Sequence, residues 1–199
     1  MFFDRHKIKL FVMVGLSGSG KSFEAEKIAE QYQAQIVSLD EIERIFPVMK
    51  NEQEREEKIL SKFCNSIRKN LEQKRNVVAD AANISMYPRR RILNTIKGLQ
   101  AEKICCLMVK AYEDCLRDSK KEEIFVKSQM RKFEIPFKGE GWDRIKVYDV
   151  SEQKYSLGKL QLQMEGFDQK NPHHDRDLLS HCSNYFIIYC VAYFYAFFN

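Results

Sequence analysis

The octet Gly15-Leu16-Ser17-Gly18-Ser19-Gly20-Lys21-Ser22 satisfies the pattern G-x-x-x-x-G-K-[ST] at every fixed position. It stands between an apolar run, Ile8–Val14 (IKLFVMV), that reads as a buried parallel strand, and residues 23–32, which read as a helix. This context constrains the chain more than any other feature. Glycines there allow a tight turn, and the backbone N–H groups of the turn converge on phosphate oxygens at the positive end of the following helix. The octet therefore predicts a phosphate cradle built from Gly15, Ser17, Gly18, Ser19, Gly20, Lys21 and Ser22. Lys21 would reach the β- and γ-phosphates of a nucleoside triphosphate, and the Ser22 hydroxyl would bind Mg²⁺.

Beyond the octet, strand and helix patterns alternate. Residues 36–39, 76–79, 103–109 and 144–148 read as strands, and 52–73, 88–98 and 122–133 as helices, the first with Ile59, Phe63, Ile67 and Leu71 on one stripe. Such alternation predicts an α/β fold: a parallel sheet with helices on both faces and the ligand at the carboxyl ends of the strands. The 199 residues suit a domain over about 1–150 and a connector with an incomplete appendage over 151–199. A net charge of +5 permits a nucleic-acid or polyphosphate partner without requiring one. The six cysteines (Cys64, Cys105, Cys106, Cys115, Cys182, Cys190) lack C-x-x-C spacing, which favours reduced, mostly buried thiols in a cytoplasmic protein over disulfides or zinc. The N-terminus, MFFDRHK, carries no apolar stretch of signal-peptide type.

Phosphoryl chemistry also needs groups outside the cradle. Asp40 follows the second expected strand. There it either orients an acceptor hydroxyl and takes its proton or merely caps the next helix. Arg44, one helical turn on, could hold an anionic acceptor. Asp80 follows the third expected strand in Asp80-Ala81-Ala82-Asn83, where a carboxylate can hold the Mg²⁺ water shell or simply form a turn with Asn83. Arg89, Arg90 and Arg91 begin a helix and point around it, so only one or two can face the site. Arg44, Asp80, Asn83 and Arg89 are the expected acceptor-side residues. Arg117, Lys120 and Lys121 lie between the fourth strand and the 122–133 helix, either as a basic lid over the triphosphate or as a solvated helix end; Arg117 and Lys121 are the expected catalytic cations.

After Val150 the character changes. Residues 185–198 (YFIIYCVAYFYAFF) are apolar and aromatic, but 14 residues is short of the ~20 that a membrane helix needs. A buried element, or the end of a truncated chain, is expected, and no stable membrane association.

Taken together, GLSGSGKS, the Asp after the second strand, DAAN after the third, the arginines beyond it and CLRDSKK before a helix ending MRKFEIP resemble the polynucleotide kinase-like branch of P-loop kinases. Phe133-Glu134-Ile135-Pro136 with Gly139-Glu140-Gly141-Trp142-Asp143 looks like the F-E-x-P…E-G-x-D ending of bacterial kinases in that branch. The resemblance covers about residues 8–150 and implies a parallel-sheet fold of the P-loop NTPase and kinase type with a helical lid. It implies an ATP-dependent 5′-hydroxyl phosphotransferase, with Asp40 as general base, Lys21 and Ser22 serving ATP and Mg²⁺, and a lid cation stabilising the transition state. Two departures concern the acceptor: Glu43 stands where the branch usually carries Arg, and Ala82 where it carries Thr. A metabolite or antibiotic kinase and a non-catalytic ATP-binding regulatory module are the rival readings. Asn171-Pro172-His173-His174, with His181 beyond it, resembles the opening of an HD-type metal phosphohydrolase domain. The chain has no later His-Asp pair to complete such a metal site, so His173 and His174 are expected to be inert.

Overall fold

Strand β1 (Ile8–Val14) forms from the first apolar run, and its last five residues are buried. It sits in the middle of a five-stranded sheet in the order β2-β3-β1-β4-β5, formed with β2 (Gln35–Ser38), β3 (Val77–Asp80), β4 (Ala101–Val109) and β5 (Arg144–Asp149). All four pairings are parallel, and Phe11 lies opposite Val78 on one side and Ile104 on the other. A strand covered on both faces needs apolar residues at successive positions, which is why β1 from Leu10 to Val14 and β4 from Ile104 to Val109 are unbroken apolar runs. The computed structural model describes residues 7–150. The expected connector, the apolar 185–198 run and the HD-like segment lie outside the described residues.

Side chains of β1 alternate between two cores. Leu10, Val12 and Val14 pack with Ile59, Phe63, Ile67 and Leu71 of α3 (Glu52–Glu72) and with Ile92 of α4 (Met86–Thr95). Phe11 and Met13 pack with Ala25 and Ile28 of α1 (Lys21–Tyr32). The α3 stripe recurs every four residues, so one helix face is apolar and the rest solvated. Asn51 caps that helix by accepting from the Glu54 N–H at 3.1 Å. The resulting three layers, helices on both faces of a parallel sheet, are those expected from the sequence.

Two short helices were not legible in the alternation. The expected strand at 36–39 ends one residue early because Ser38 caps α2 (Leu39–Ile45), its hydroxyl accepting from the Glu41 N–H at 3.3 Å. The segment after β4 folds as α5 (Tyr112–Asp118) and α6 (Glu123–Arg131). Tyr112, Cys115 and Val126 pack against Leu16, the second residue of the octet, in a third apolar cluster. The α5–α6 pair is thereby fastened to the loop that leaves β1, at the carboxyl edge of the sheet.

Candidate active site

The octet connects β1 to α1 directly, so its glycines absorb the turn: Gly18 and Gly20 take φ of 82° and 83°. Ser19 N–H donates to the Leu16 carbonyl at 3.1 Å and closes the loop on itself. A side chain at position 15 would meet the Ser19 hydroxyl at 2.8 Å and Met108 Cβ at 3.0 Å. Lys21 Nζ donates to the Leu16 carbonyl at 2.7 Å, so the ammonium is folded over the loop. Burial pushes that ammonium below its ordinary value, against the pull of Asp80, Cys115 and Asp40.

Asp80 is the last residue of β3, and its carboxylate accepts a hydrogen bond from the Ser22 hydroxyl. Burial raises the Asp80 carboxyl above the usual carboxylate range. The Ser22 hydrogen bond and the charge of Lys21 oppose the rise, while Asp40 and Glu26 add to it. Four of the sequence-expected residues thus converge: Lys21, Ser22, Asp80 and Asp40. A hard divalent cation suits this donor set, because Mg²⁺ takes one or two carboxylates and keeps its remaining positions for water and phosphate oxygens. A buried carboxylate whose ionised form is disfavoured by desolvation, with a hydroxyl hydrogen-bonded to it, is a group that such a cation would relieve. Among the described residues no cluster of three or more His, Cys, Asp or Glu side chains could hold a metal alone, so Ser22 and Asp80 would have to share the ion with phosphate.

Asp40 lies in the first turn of α2 and is exposed. Capping is done by Ser38, which leaves the Asp40 carboxylate unused as a cap. Its charge is felt by both Lys21 and Asp80, so α2 holds it beside the octet. Arg44 is one helical turn further along α2, on the face that Asp40 occupies, and is exposed.

Other expected residues face elsewhere. Arg89 does not fit the expected acceptor-binding role: it is fully enclosed and makes four hydrogen bonds, two to Glu140 and one each to the Asn83 and Glu134 carbonyls. A buried guanidinium with that many protein partners has little left to offer a ligand. Asn83 is likewise buried and donates to the Met13 carbonyl at 2.8 Å, which makes it a brace for the strand that enters the octet. Arg117 lies in α5 and pairs with Asp114 at 2.8 Å and Asp118 at 3.2 Å. Lys121 lies between α5 and α6, its ammonium 5.7 Å from the centre of the Phe125 ring. Both are exposed at the lid surface.

Two residues at the site, Lys110 and Gln129, went unnoticed in the sequence, and a third, Cys115, was read only as a buried thiol. Lys110, just past β4, donates to the Gly18 carbonyl at 3.1 Å and to Asp118, so one ammonium ties octet to lid. Gln129 of α6 is buried and its carboxamide oxygen accepts the Ser17 N–H at 2.8 Å. Cys115 lies under Gly18, and burial pushes its thiol up to about 11. Gln129 carried a readable signal, being a polar residue three positions after Val126 on the inward stripe of α6.

This fold and this site define a P-loop nucleotide-binding protein of the kinase type. Residues 10–123 match the AAA domain family, and the chain belongs to it. No curated protein matches the chain. Among solved structures the chain is similar to Kti12 from Chaetomium thermophilum in complex with ADP-AlF3 (16% identity, TM-score 0.57, 78% of this chain and 96% of that one). It is also similar to a gluconokinase from Sinorhizobium meliloti (17%, TM-score 0.54, 82% and 100%). A third similarity is to a chain of the Pnkp1/Rnl/Hen1 RNA repair complex (20%, TM-score 0.53, 83% and 48%). At these identities the likeness is one of fold. No helix among the described residues is long and apolar enough to cross a membrane.

Proposed function

We propose that the chain is an ATP-dependent phosphotransferase that moves the γ-phosphoryl group to an acceptor hydroxyl, with a polynucleotide 5′-hydroxyl as the leading acceptor. The observation that carries this reading is the placement of Asp40: an exposed carboxylate on α2, not needed as a cap, within electrostatic reach of both Lys21 and Asp80. The same carboxylate also complements the positive end of α2, so it is the loss of transfer, and not of stability alone, on its removal that would decide the reading.

The octet amides and Lys21 hold the triphosphate, and Lys21 leaves the Leu16 carbonyl for phosphate oxygens. Bound Mg²⁺ would neutralise charge on the β- and γ-oxygens, with Ser22 and Asp80 holding it. Asp40 accepts the proton of the acceptor hydroxyl as that oxygen bonds to the γ-phosphorus, and the bond to the β,γ-bridging oxygen breaks to release ADP. Arg44, one turn from Asp40, is placed to hold an anionic group next to the reacting hydroxyl. Arg117 and Lys121 supply positive charge from the lid, Arg117 after exchanging its carboxylate partners for phosphate.

The test is transfer of γ-labelled phosphate from ATP onto 5′-hydroxyl oligonucleotides and onto a panel of sugars and other metabolite alcohols. Labelled oligonucleotide, reduced ~10²-fold or more by Asp40→Asn with nucleotide binding retained, is the expected result. Labelling of a metabolite alone would replace the acceptor class. ATP binding without transfer to any acceptor would overturn the enzymatic reading.

A further inference from the structure

Residues 134–142 form a strap beyond the part of the chain that matches the family, and the strap ends in a buried ion pair. Neither the Arg89 nor the Glu140 side chain has any exposed surface. Arg89 Nε and Nη2 donate to the two carboxylate oxygens of Glu140 at 2.8 and 2.7 Å, and the Trp142 indole N–H donates to the same carboxylate at 3.1 Å. Arg89 Nη1 donates in turn to the carbonyls of Asn83 at 3.0 Å and Glu134 at 2.9 Å. Glu134 also grips the loop after β3, its N–H donating to the Ile84 carbonyl at 2.7 Å and its carboxylate accepting the Met86 N–H.

The same loop is held from its other side by the octet and its strand. Gly15 N–H donates to the Ala82 carbonyl at 3.0 Å, and the Asn83 carboxamide donates to the Met13 carbonyl at 2.8 Å. Asn83 takes φ of 46°, a left-handed conformation that needs surrounding contacts to persist. Residues 82–86 are therefore clamped between octet and strap, and Asp80 stands two residues before the clamp.

Stability alone is a weak reason for such a pair. A buried ion pair often stabilises a fold no more than apolar side chains of equal volume would, and in some proteins its advantage is a defined geometry. Here the guanidinium fork fixes two backbone carbonyls in register. We infer that Glu140 is a positioning residue: acting through Arg89, it fixes the loop after β3 against the octet and thereby sets the Asp80 carboxylate relative to the Ser22 hydroxyl. The inference rests on the proposed role of those two groups in holding the cation of a Mg²⁺-nucleotide. Glu140 touches no substrate. Its effect is on the cation-dependent part of nucleotide binding and on turnover.

The experiment is calorimetric titration of the full chain with ADP, with and without Mg²⁺, alongside thermal unfolding. The proteins are wild type, Glu140→Asp, and the double variant Arg89→Met/Glu140→Leu. Glu140→Asp retains the charge and shortens the reach. It is expected to leave ADP affinity without Mg²⁺ unchanged and to cut the Mg²⁺-dependent gain about tenfold or more, the usual effect of losing a group that orients a metal ligand. With ATP and an acceptor, kcat should fall more than KM for ATP rises. The double variant leaves the Asn83 and Glu134 carbonyls and the Trp142 indole N–H without these partners, so it is expected to unfold below the wild-type temperature. Titrated where it is still folded, it should also lose the Mg²⁺-dependent gain, which a purely structural pair would not cause. A wild-type Mg²⁺ gain in either folded variant overturns the inference, and Glu140→Asp decides it should the double variant not fold. A wild-type chain whose ADP binding ignores Mg²⁺ would instead overturn the cation role of Ser22 and Asp80.

Discussion

Gly18 of the octet packs directly on the backbone of Cys115 in α5. A Cβ on Gly18 would stand 2.9 Å from the Cys115 carbonyl carbon and from Ser119 N, and closer still to the carbonyl oxygen. Gly20 has nearly the same positive φ, yet a Cβ there would meet nothing within 4 Å. The pair separates conformational strain from steric contact. Gly20→Ala should cost only the left-handed penalty, roughly 1–2 kcal/mol, read as a modest fall in Tm without nucleotide. Gly18→Ala adds an overlap with backbone that cannot rotate away. It should lower Tm clearly further and expose the α5–α6 segment to limited proteolysis. Equal Tm values for the two variants would mean that lid and octet are not in contact in solution.

Asp80 gives a pH-dependent prediction whose sign follows from burial. Its carboxyl is raised above the ordinary value of 3.8, so the folded chain holds the ionised form at a disadvantage relative to the unfolded chain. Native protein then binds more protons than unfolded protein between 3.8 and the raised value, and this residue's contribution falls as pH rises through that window. Asp80→Asn keeps an acceptor for Ser22 and removes the penalty. Without Mg²⁺ the variant should unfold at a higher temperature than wild type at pH 7, with the gap closing as pH falls toward 3.8. The same variant should lose the Mg²⁺-dependent gain in ADP affinity. A variant less stable than wild type at pH 7 would show that the Asp80 charge is already compensated.

Sheet and nucleotide site were legible in the sequence to different depths. The octet, β1, the α3 stripe and the alternation all rest on local pattern, and local pattern survives into the structure. The helix α2 was also within reach: Ser38-x-x-Glu41 has the spacing of a capping box, and reading it would have assigned the cap to Ser38 and freed Asp40 sooner. Arg89 was misread for a different reason. Its partner Glu140 is 51 positions away, and nothing local distinguishes an arginine that faces a ligand from one that meets a distant carboxylate. Lys110 and Gln129 depend likewise on how α5 and α6 settle over the octet, which is tertiary information.

The lid contact also governs thiol chemistry. Cys115 is buried beneath the octet and its thiol is held at about 11, chiefly by desolvation, with Lys110 and Lys21 pulling the other way. At pH 8 only about one thiol in a thousand would be ionised, against about a quarter for a free cysteine. Native-state alkylation of Cys115 with iodoacetamide, followed by peptide mass mapping, should be at least ~100-fold slower than in urea. ADP with Mg²⁺ should slow it further if nucleotide tightens the lid on the octet. Alkylation at the rate of the unfolded chain would mean that α5 leaves the octet freely.

Lys21 and Asp40 separate binding from chemistry. Lys21 rests on the Leu16 carbonyl and belongs to none of the three apolar clusters, so Lys21→Ala should fold with a near wild-type circular dichroism spectrum. Removing its charge takes a counter-ion from Asp80 and Asp40 at once, and should push the Asp80 carboxyl higher still. The expected kinetic result is loss of transfer in kcat, with a rise in KM for ATP reporting whatever part of the interaction is uniform binding. If Asp40 is the base proposed above, Asp40→Asn should leave ADP binding near wild type and lower kcat alone, because the proton it would accept is the acceptor's. Combining the two substitutions decides whether they act on one transition state. Residues that serve a single step are strongly non-additive, so the double variant should be scarcely worse than Lys21→Ala. Multiplicative losses would place Asp40 outside the transferring complex, and the hydroxyl proton would need another acceptor.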